Sequence, residues 1–401
     1  MADSNSPLKG ELKRLRDVCR IVSGGTPSKA NSAYWSGTIP WVTARDLKSF
    51  DVKSSTFKLT PLGASRLPLA PAGSVLVLVR GMQLLKSFPV AFLKVDSTFN
   101  QDVRALMPGE AMRGRYLAWQ LCARESQILR LVDIAGHGTG RLSGDLLRDI
   151  RVTVPPLDAQ DHAIVSLDSL DAAQRAVGEL VLVKRQFRSG LLQALLTGQR
   201  RFPEFAATPW RKRALSDLLH GVSRPVEWSD DTEYNLLSLR RRSGGTFLRE
   251  RRPGAQIKSK SLFTVDAGDF LISRMQVAHG ALALVRPEHA GMCVSATYDV
   301  LRARDAAELD IRFFDYLSRL PMMYRKVRLA CHGVHVEKMT FNLDQFLRTV
   351  IDFPVDLAEQ QRIADLLDSM DEEGRLLQAT VDALRQQKLA LMDRLLGGVI
   401  T

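Results

Sequence analysis

The sequence lacks the features that mark several common classes of protein. Its four cysteines lie far apart and form no Cys-x-x-Cys pair, so neither a disulfide framework nor a structural zinc site is expected. No run of about 18 apolar residues is present, and the first residues lack the basic-then-apolar pattern of a secretory signal. We therefore expect a cytoplasmic protein that makes no use of a membrane.

Phosphate-binding and metal-binding motifs are scarce as well. No GxxxxGK[S/T] loop occurs, and in Gly136-His137-Gly138-Thr139-Gly140 the third glycine is out of step with a dinucleotide-binding loop. Ser23-Gly24-Gly25-Thr26-Pro27 is more typical of a turn than of a phosphate cradle. His332, His335 and Glu337 form a permissible but weak set of metal ligands, and polar loop residues are the favoured interpretation. No metal site is predicted.

Two further catalytic patterns are incomplete. Asp46 with Asp51-Val52-Lys53 only loosely resembles the acidic pair and lysine of a nuclease, because five residues are few for placing two carboxylates on paired strands. Pro155-Pro156 lacks the preceding acid or amide and the following aromatic residue of an adenine methyltransferase loop. The sequence therefore predicts a protein without a catalytic residue of its own.

What the chain does contain is an ordinary globular composition with excess positive charge. It has 401 residues, of which 45% are hydrophobic and 25% charged, and a net charge of +12. This length predicts two or three domains. The charge favours a polyanionic partner without proving one.

An internal repeat organises the chain. Residues 157–198 align without a gap to residues 357–398, with about a third of the positions identical, including the pairs Gln160/Gln360 and Asp168/Asp368. Each copy begins after proline and ends at glycine, as long helices do. A helix of about 40 residues is about 60 Å long.

Apolar residues follow a heptad-like spacing in both copies and predict one apolar seam on each helix, by which the helices pack on each other. Lys184 and Arg188 interrupt the first seam, and Gly374 and Lys388 interrupt the second. A single compact helical core is the less favoured alternative. The predicted seam comprises Leu167, Leu170, Val177, Val181, Leu191 and Leu195 in the first copy and Leu367, Met370, Leu377, Val381, Leu384, Leu391 and Leu395 in the second.

The segments that precede the two helices, residues 10–153 and 210–353, have similar lengths and a matching order of elements. Each has three predicted strands (72–80, 90–95 and 102–106; 267–274, 281–285 and 299–303), then a helix (about 113–132; about 310–329) and a loop with Gly and His. The predicted fold is α+β, with two globular α/β domains separated by two long antiparallel helices that form a coiled-coil spacer with pseudo-two-fold symmetry.

Basic and amide side chains near the strand ends are candidates for contact with nucleic acid, because Arg and Gln recognise base edges and basic residues neutralise phosphates. A segment at 240–260 is strongly basic and is predicted to be more loop than helix. Ordinary surface polarity is the alternative for each residue. The candidates are Arg45, Lys48, Arg80, Gln83 and Lys86 in the first domain and Arg240, Arg241, Arg242, Arg274, Gln276 and His279 in the second.

Several motifs together resemble the specificity (S) subunit of Type I restriction-modification enzymes, over essentially the whole chain. They are Ser23-Gly24-Gly25-Thr26-Pro27-Ser28, Ile39-Pro40-Trp41-Val42-Thr43, Gly268-Asp269-Phe270-Leu271-Ile272-Ser273-Arg274, Pro155-Pro156-Leu157 and the helix end 191–198. The second domain departs from the pattern, since it has no clear Gly-Gly-Thr-Pro or Ile-Pro-Trp counterpart.

The resemblance implies target recognition domains at residues 1–154 and 201–353 and conserved helical regions at 155–200 and 354–401. Each domain would bind one half of a bipartite site in double-stranded DNA. The helices would set the spacing and dock two methyltransferase (M) subunits, and restriction (R) subunits for translocation and cleavage would join them. S-adenosylmethionine, ATP and magnesium would belong to those partners, with no cofactor in this chain.

Two other classes of function stay open on the sequence. One is an enzyme with its own nuclease or methyltransferase site, which the incomplete motifs disfavour. The other is a coiled-coil adaptor that binds only proteins, which the basic segment at 240–260 disfavours.

Overall fold

The computed structural model describes residues 10–134, 138–333 and 339–396. The chain divides into two compact units. The first contains the residues up to Glu179 together with those from Gln378 onward, and the second is Leu180–Leu377. Each unit therefore contains a globular part and one half of each long helix.

The first globular part is built from short strands and helices that precede the first long helix. The strands are β1 (Glu11–Arg14), β2 (Cys19–Ser23), β3 (Trp35–Val42), β4 (Asp51–Val52), β5 (Phe57–Leu59), β6 (Val75–Leu78), β7 (Arg80–Gly81), β8 (Val90–Leu93), β9 (Thr98–Phe99), β10 (Val103–Pro108), β11 (Asp133–Ile134), β12 (Gly140–Arg141) and β13 (Arg151–Val154). The helices are α1 (Leu15–Val18), α2 (Pro61–Ala64), α3 (Gly114–Ala123), α4 (Glu125–Leu129), α5 (Gly144–Asp149) and the long α6 (Leu157–Leu196).

The second globular part, between the two long helices, follows a similar order of strands and helices. Its strands are β14 (Trp210–Ala214), β15 (Leu219–Gly221), β16 (Glu233–Leu239), β17 (Thr246–Pro253), β18 (Leu262–Thr264), β19 (Phe270–Ser273), β20 (Leu282–Leu284), β21 (Cys293–Ser295), β22 (Tyr298–Ala303), β23 (Cys331–His332), β24 (Thr340–Phe341) and β25 (Val350–Pro354). Its helices are α7 (Leu215–Leu218), α8 (Ile311–Ser318), α9 (Pro321–Leu329), α10 (Leu343–Leu347) and the long α11 (Leu357–Leu396).

The central sheets of the two units share one strand order. The first is β2-β10-β6-β8-β4 and the second is β15-β22-β19-β20. The middle strands β6 and β19 are fully buried, because their runs of branched and aromatic side chains contact the core on both faces of the sheet. The three predicted strands of each domain lie in these sheets, as the sequence predicted.

Each unit also has a smaller sheet, and here the units differ. In the first unit it is β5-β3-β9, and in the second it is β17-β16-β21-β18. The two domains therefore share the plan of the central sheet but differ in the smaller one.

The helix predicted after the third strand is corrected in both units. Residues 113–132 form α3 and α4 with a break at Arg124, whose ψ of 10° leaves the helical range. Residues 310–329 form α8 and α9, and Pro321 stands at the first turn of α9. Proline is accommodated there because a first-turn residue needs no backbone N–H for the helix, whereas it would break a continuous one.

Both long helices begin as the repeat predicts, and α6 also ends as predicted. α6 starts after Pro155-Pro156, and Gly198 just beyond its end has a φ of +70°, which favours glycine. The glycines predicted to end α11, at 397 and 398, lie outside the described residues. Within the second unit Lys184 binds Glu373 at 2.8 Å and Arg188 binds Asp371, so the two helix segments run antiparallel.

All thirteen predicted seam residues are buried or half-buried. In the first unit Leu167 shares a core with Leu391 and Leu395, and in the second Leu191 and Leu195 share a core with Leu367. The fold class predicted from the sequence, with globular α/β domains and two long antiparallel helices, is confirmed.

Candidate nucleic-acid interface

The first unit gathers arginines next to the end of its buried central strand. Arg80 comes shortly after β6 in the chain and lies opposite Arg141 in the antiparallel pair of β7 and β12. Like charges in directly opposite positions repel each other. Burial lowers the pKa of Arg104, and the positive charges of Arg80 and Arg148 lower it further. This crowding of positive charge is suited to an anionic ligand.

Arg104, Arg141 and Arg148 were not among the residues predicted from the sequence. Arg104 lies on β10, next to the strand that Arg80 follows, and its guanidinium donates to the carbonyl oxygen of Gln101 at 2.8 Å. The sequence did show Arg104 inside a strand pattern, but not that a partner strand would bring it to Arg80. Only the sheet order provides that information.

The other predicted residues of the first unit are exposed. Gln83 lies in the 3₁₀ turn Met82–Leu85 and Lys86 follows it. Arg45 lies in a turn closed by the bond from the amide of Asp46 to the carbonyl of Thr43, 2.9 Å long. Lys48 and Gln83 line one cleft of about 520 Å³ in this unit, so the structure brings these two together.

The two carboxylates weighed as a nuclease pair have structural partners. Asp46 accepts hydrogen bonds from the amides and hydroxyls of Thr43 and Thr56, at 2.7–2.9 Å. Burial opposes ionisation of Asp46, but these bonds outweigh it and hold its pKa below the usual value. Asp51 binds the guanidinium of Arg115 instead. Each carboxylate is engaged in holding the fold.

The Gly-Gly-Thr-Pro segment is a tightly packed turn. The indole of Trp41 donates to the carbonyl of Gly25 at 2.9 Å, and that of Trp35 donates to Ser28 at 3.2 Å. A Cβ on Gly24 would lie 2.3 Å from backbone oxygens of Phe99 and Asn100. The close contacts explain the glycine and leave no room for a phosphate at this position.

In the second unit the structure brings two of the predicted groups together. The turn at 240–245 joins β16 to β17 and carries Arg240, Arg241 and Arg242, all exposed. The amide of Arg242 donates to the carbonyl of His279 at 2.8 Å. The segment with Arg274, Gln276 and His279 therefore lies against the arginine turn.

Arg274 of this surface is held by a carboxylate. Its guanidinium binds Asp299, which is 4% exposed, at 2.5 Å. The hydrogen bonds to Asp299 raise the pKa of Arg274. Gln276 is exposed and His279 half-buried, beside a 3₁₀ turn formed by Val277–His279. Because Asp299 offsets the charge of Arg274, this arginine adds little to the positive charge of the surface.

The segment 240–260, predicted to be more loop than helix, includes a strand that the sequence did not predict. Residues 246–253 form strand β17, which pairs with β16 through a β-bulge between Leu236 and Leu237. The bulge and the bonds to β16 allow a strand despite the charges, since every second side chain faces solvent. Arg249 and Arg252 both bind Glu250, at 2.9 and 2.6 Å, so part of the strand's charge is offset.

The weak metal-ligand set and the glycine-rich stretch lie only partly within the described residues. No group of three or more His, Cys, Asp or Glu side chains among its residues is arranged to hold a metal ion. His335 and Glu337 of the weak ligand set lie outside the described residues, as do Gly136 and His137 of the glycine-rich stretch. No helix in the described part is long and apolar enough to span a membrane.

The repeated helices hold the globular parts through duplicated contacts. Gln160 accepts from the amide of Arg113 at 2.8 Å and donates to the carbonyls of Ala111 and Pro155, each at 2.8 Å. Gln360 makes the same three bonds, to the backbone of Asp310, Glu308 and Pro354 at 2.9 Å. The identical glutamines of the repeat thus have identical roles.

The residues that interrupt the seams also have matched partners. Lys388 binds Asp171 at 2.6 Å in the first unit, and Arg188 binds Asp371 in the second. Positions 188 and 388 are equivalent in the repeat, as are 171 and 371. Each seam therefore contains one ion pair that has a counterpart in the other unit, and the sequence showed both partners without showing that they meet.

Comparison with known proteins agrees with this architecture. Residues 7–177 match the family model described as the Type I restriction modification DNA specificity domain. Over 172 residues the chain is 31% identical to the Type I restriction enzyme EcoR124I/EcoR124II specificity subunit of Escherichia coli, covering 42% of this chain and 43% of that protein. It is 25% identical over 174 residues to the MjaIX specificity subunit of Methanocaldococcus jannaschii, covering 41% of this chain and 38% of that protein.

The solved structures match over the whole length. The S subunit from M. genitalium superposes with a TM-score of 0.62 at 10% identity, covering 100% of this chain and 99% of that one. The HsdS subunit from Thermoanaerobacter tengcongensis gives 0.50 at 18% identity, covering 98% of each. The fold is thus that of the Type I restriction-modification specificity subunits. Residues 7–177 match the model of the DNA specificity domain family, and the sequence matches span less than half the length of the curated relatives.

Proposed function

We propose that this chain is the DNA-recognition subunit of a Type I restriction-modification system and that each globular domain binds one half of a bipartite site. The observation that carries this proposal is the repetition of a basic surface next to the same central strand. Arg80 and its neighbours follow β6 in the first unit, and the arginine turn lies beside the segment after β19 in the second.

The assembly role belongs to the same proposal. The long helices set the spacing of the half-sites and dock two methyltransferase subunits, and restriction subunits join the complex in the cytoplasm. Catalysis, with S-adenosylmethionine, ATP and magnesium, resides in those partners. This division of labour is supported by the engaged carboxylates at Asp46 and Asp51, which are held by threonines and by Arg115.

The decisive experiment maps methylated adenines in host DNA with and without the gene, and then with residues 10–153 exchanged for those of a relative. We expect a two-part motif that depends on the gene and changes in one half only after the exchange. The matched control exchanges residues 210–353 and should change the other half. A change of both halves after a single exchange would contradict the proposal, and so would no change.

Binding by the purified chain gives an independent check. Arginine contacts to phosphate release counterions, so the affinity for duplex DNA should fall steeply as salt is raised. The measurement is a titration of labelled duplex at several salt concentrations. An adaptor that binds only proteins would show no DNA binding at low salt.

A further inference from the structure

We propose that the turn at residues 240–245 is the base-reading element of the second domain and that its arginines contact base edges in a groove of duplex DNA. This inference rests on the proposed function, because it assumes that the second domain binds a half-site. It assigns base recognition to one short segment with a fixed backbone, whereas the sequence alone indicated only a basic region.

The backbone of the turn is strained. Arg242 has a φ of 58° and Ser243 a φ of 50°, and the structure has only one other described non-glycine residue at positive φ. A residue other than glycine in this left-handed region is unfavourable, and it persists where the surrounding structure dictates the conformation. Hairpin turns do place two successive residues at positive φ, but they favour Asn, Asp and Gly there, so Arg and Ser at these positions need support from the surrounding structure.

Contacts from two other segments fix this conformation. The amide of Arg242 donates to the carbonyl of His279 at 2.8 Å, and the amide of Ser243 donates to the carbonyl of Gly280 at 2.7 Å. The hydroxyl of Ser243 lies 2.6 Å from the phenol oxygen of Tyr324. The turn is therefore bound both to the segment after β19 and to helix α9.

Gly280 shows how closely these segments pack. Its φ is 73°, and a Cβ at this position would lie 2.1 Å from the ring of Tyr324. The ring thus contacts the backbone that accepts the bond from Ser243. The clamp formed by Gly280, Ser243 and Tyr324 leaves little freedom for the main chain at Arg242.

The charges of Arg240 and Arg242 are available to a ligand. The guanidinium of Arg240 stacks on the ring of Phe247 at 4.6 Å and donates to the carbonyl of Thr246 at 3.3 Å, contacts that direct it without neutralising it. Arg242 is exposed and has no ion pair with any residue that the structure describes. By contrast, Arg249, Arg252 and Arg274 of the same unit are held by carboxylates.

A fixed backbone with unneutralised guanidiniums fits base reading better than phosphate attraction. A phosphate contact tolerates a mobile side chain on a mobile loop, since it carries no sequence information. Two hydrogen bonds from one arginine to the edge of a guanine require a defined direction of approach. The clamped turn supplies that direction before DNA is bound, which lowers the entropy lost on binding.

The test measures binding of the full chain to two labelled duplexes at one salt concentration. The first duplex carries the complete motif mapped by methylation. In the second duplex, one half-site is scrambled, namely the half-site that changes when residues 210–353 are exchanged. Arg242→Asn removes the guanidinium while keeping a residue that tolerates positive φ. Tyr324→Phe removes one bond of the clamp without removing a positive charge.

We expect Arg242→Asn to weaken binding to the intact motif by about 5–150-fold, the range of one bidentate base contact, and to leave binding to the scrambled duplex nearly unchanged. Tyr324→Phe should weaken binding to the intact motif by a smaller factor and leave the slope of affinity against salt unchanged. The control Arg375→Gln removes an exposed arginine from α11 in the same unit and should alter neither affinity.

Equal losses on the two duplexes after Arg242→Asn would overturn the inference, because they would mean phosphate contact or a folding defect. Unchanged binding to both duplexes would overturn it as well. Failure of the unmodified chain to distinguish the two duplexes would instead contradict the proposed function itself.

Discussion

At the scale of single residues, the duplicated polar contacts between helix and domain are the most informative feature. Gln160 and Gln360 are fully buried, and each joins three backbone groups that would otherwise be unpaired. Buried polar groups are retained where their hydrogen bonds are complete. The repeat identified these glutamines as matching positions, but their role depends on backbone groups from segments that share no sequence.

Replacement of Gln160 by Ala should lower the free energy of unfolding by about 1–3 kcal/mol, because it leaves a buried N–H and two buried carbonyls without partners. Gln360→Ala should have a similar effect, since its bonds are the same. Urea denaturation followed by circular dichroism measures both. The exposed Gln193 of α6 provides the control, and an equal loss in Gln193→Ala would contradict this account.

Asp51 predicts a pH dependence of stability. Burial opposes its ionisation, but the hydrogen bond and the charge of Arg115 outweigh burial and hold its pKa below the usual value of 3.8. A carboxylate with a depressed pKa in the folded state stabilises the fold above its unfolded pKa, and this contribution is lost as the pH falls through the folded pKa. The affected window therefore lies below about pH 4.

The measurement for Asp51 is the unfolding free energy from pH 7 to pH 2 for the natural chain and for Asp51→Asn. We expect the variant to be less stable at pH 7 and to lose less stability on acidification below pH 4, so that the two curves converge. Parallel curves over the whole range would show that the pair with Arg115 makes no pH-dependent contribution.

The arginines show where inference from sequence stops at this scale. Composition and local pattern were sufficient to select Arg80, Arg240 and Arg242 as exposed basic residues near strand ends. The sequence did not distinguish Arg274, which a buried carboxylate 25 positions away neutralises, from its neighbours. Pairing between distant strands decides which charges remain available, and local spacing carries no information about that pairing.

At the scale of elements, the long helices follow the heptad pattern closely. Their periodicity was sufficient to predict the buried side, since a 3.5-residue repeat places the same face toward the partner at each turn. The interruptions at Arg188 and Lys388 were seen as defects in the pattern. The structure shows each of them bound to the aspartate of the other helix, Asp371 or Asp171, so they fix the register of the pair.

Val181→Asp provides the test of the seam. Val181 is 6% exposed and the next residue, Leu182, is 60% exposed. An aspartate at 181 would place an unpaired charge against apolar side chains, and we expect a loss of several kcal/mol in stability. Leu182→Asp, the matched control, should change stability by less than about 0.5 kcal/mol.

In the first unit, Leu391→Asp is the equivalent test. We expect a smaller loss of stability than in Val181→Asp, because Leu391 is only half-buried. Thermal unfolding and the yield of the assembled complex are the two measurements. Full stability in both seam variants would mean that the helices do not depend on the predicted face.

The elements that the sequence did not predict were decided by tertiary context. No proline or glycine marks the break between α3 and α4, whereas Pro321 marks the start of α9 in the sequence. The sequence did not predict strand β17, because four charged residues in eight disfavour a strand by composition. Pairing with β16 stabilises it nonetheless, which a local pattern cannot show.

At the scale of the whole molecule, the chain is a duplication in which each compact unit uses parts of both long helices. The N-terminal half of α6 completes the first core together with Met392, Leu395 and Leu396 of α11. In the second core, Leu192, Leu195 and Leu196 of α6 occupy the equivalent repeat positions. The sequence repeat predicted two copies of a unit, but not that each globular core would need the end of the other helix.

This sharing leads to a prediction for the first 200 residues expressed alone. Without α11 the fragment lacks Lys388, Met392 and Leu395, but its own Arg188, Leu192 and Leu195 are their counterparts in the repeat. A second copy of the fragment can therefore supply them, with Asp171 of one copy facing Arg188 of the other. We expect a homodimer in light-scattering measurements on the purified fragment.

Charge exchange tests whether that dimer uses the native register. Arg188→Asp should dissociate the fragment dimer, because two aspartates would then meet where the full chain pairs Asp171 with Lys388. Adding Asp171→Arg to this variant should restore the dimer, since the pair is re-formed with its charges reversed. If the doubly substituted fragment stayed monomeric while the unchanged fragment dimerised, the helices would associate by another face, and the repeat would not encode their pairing.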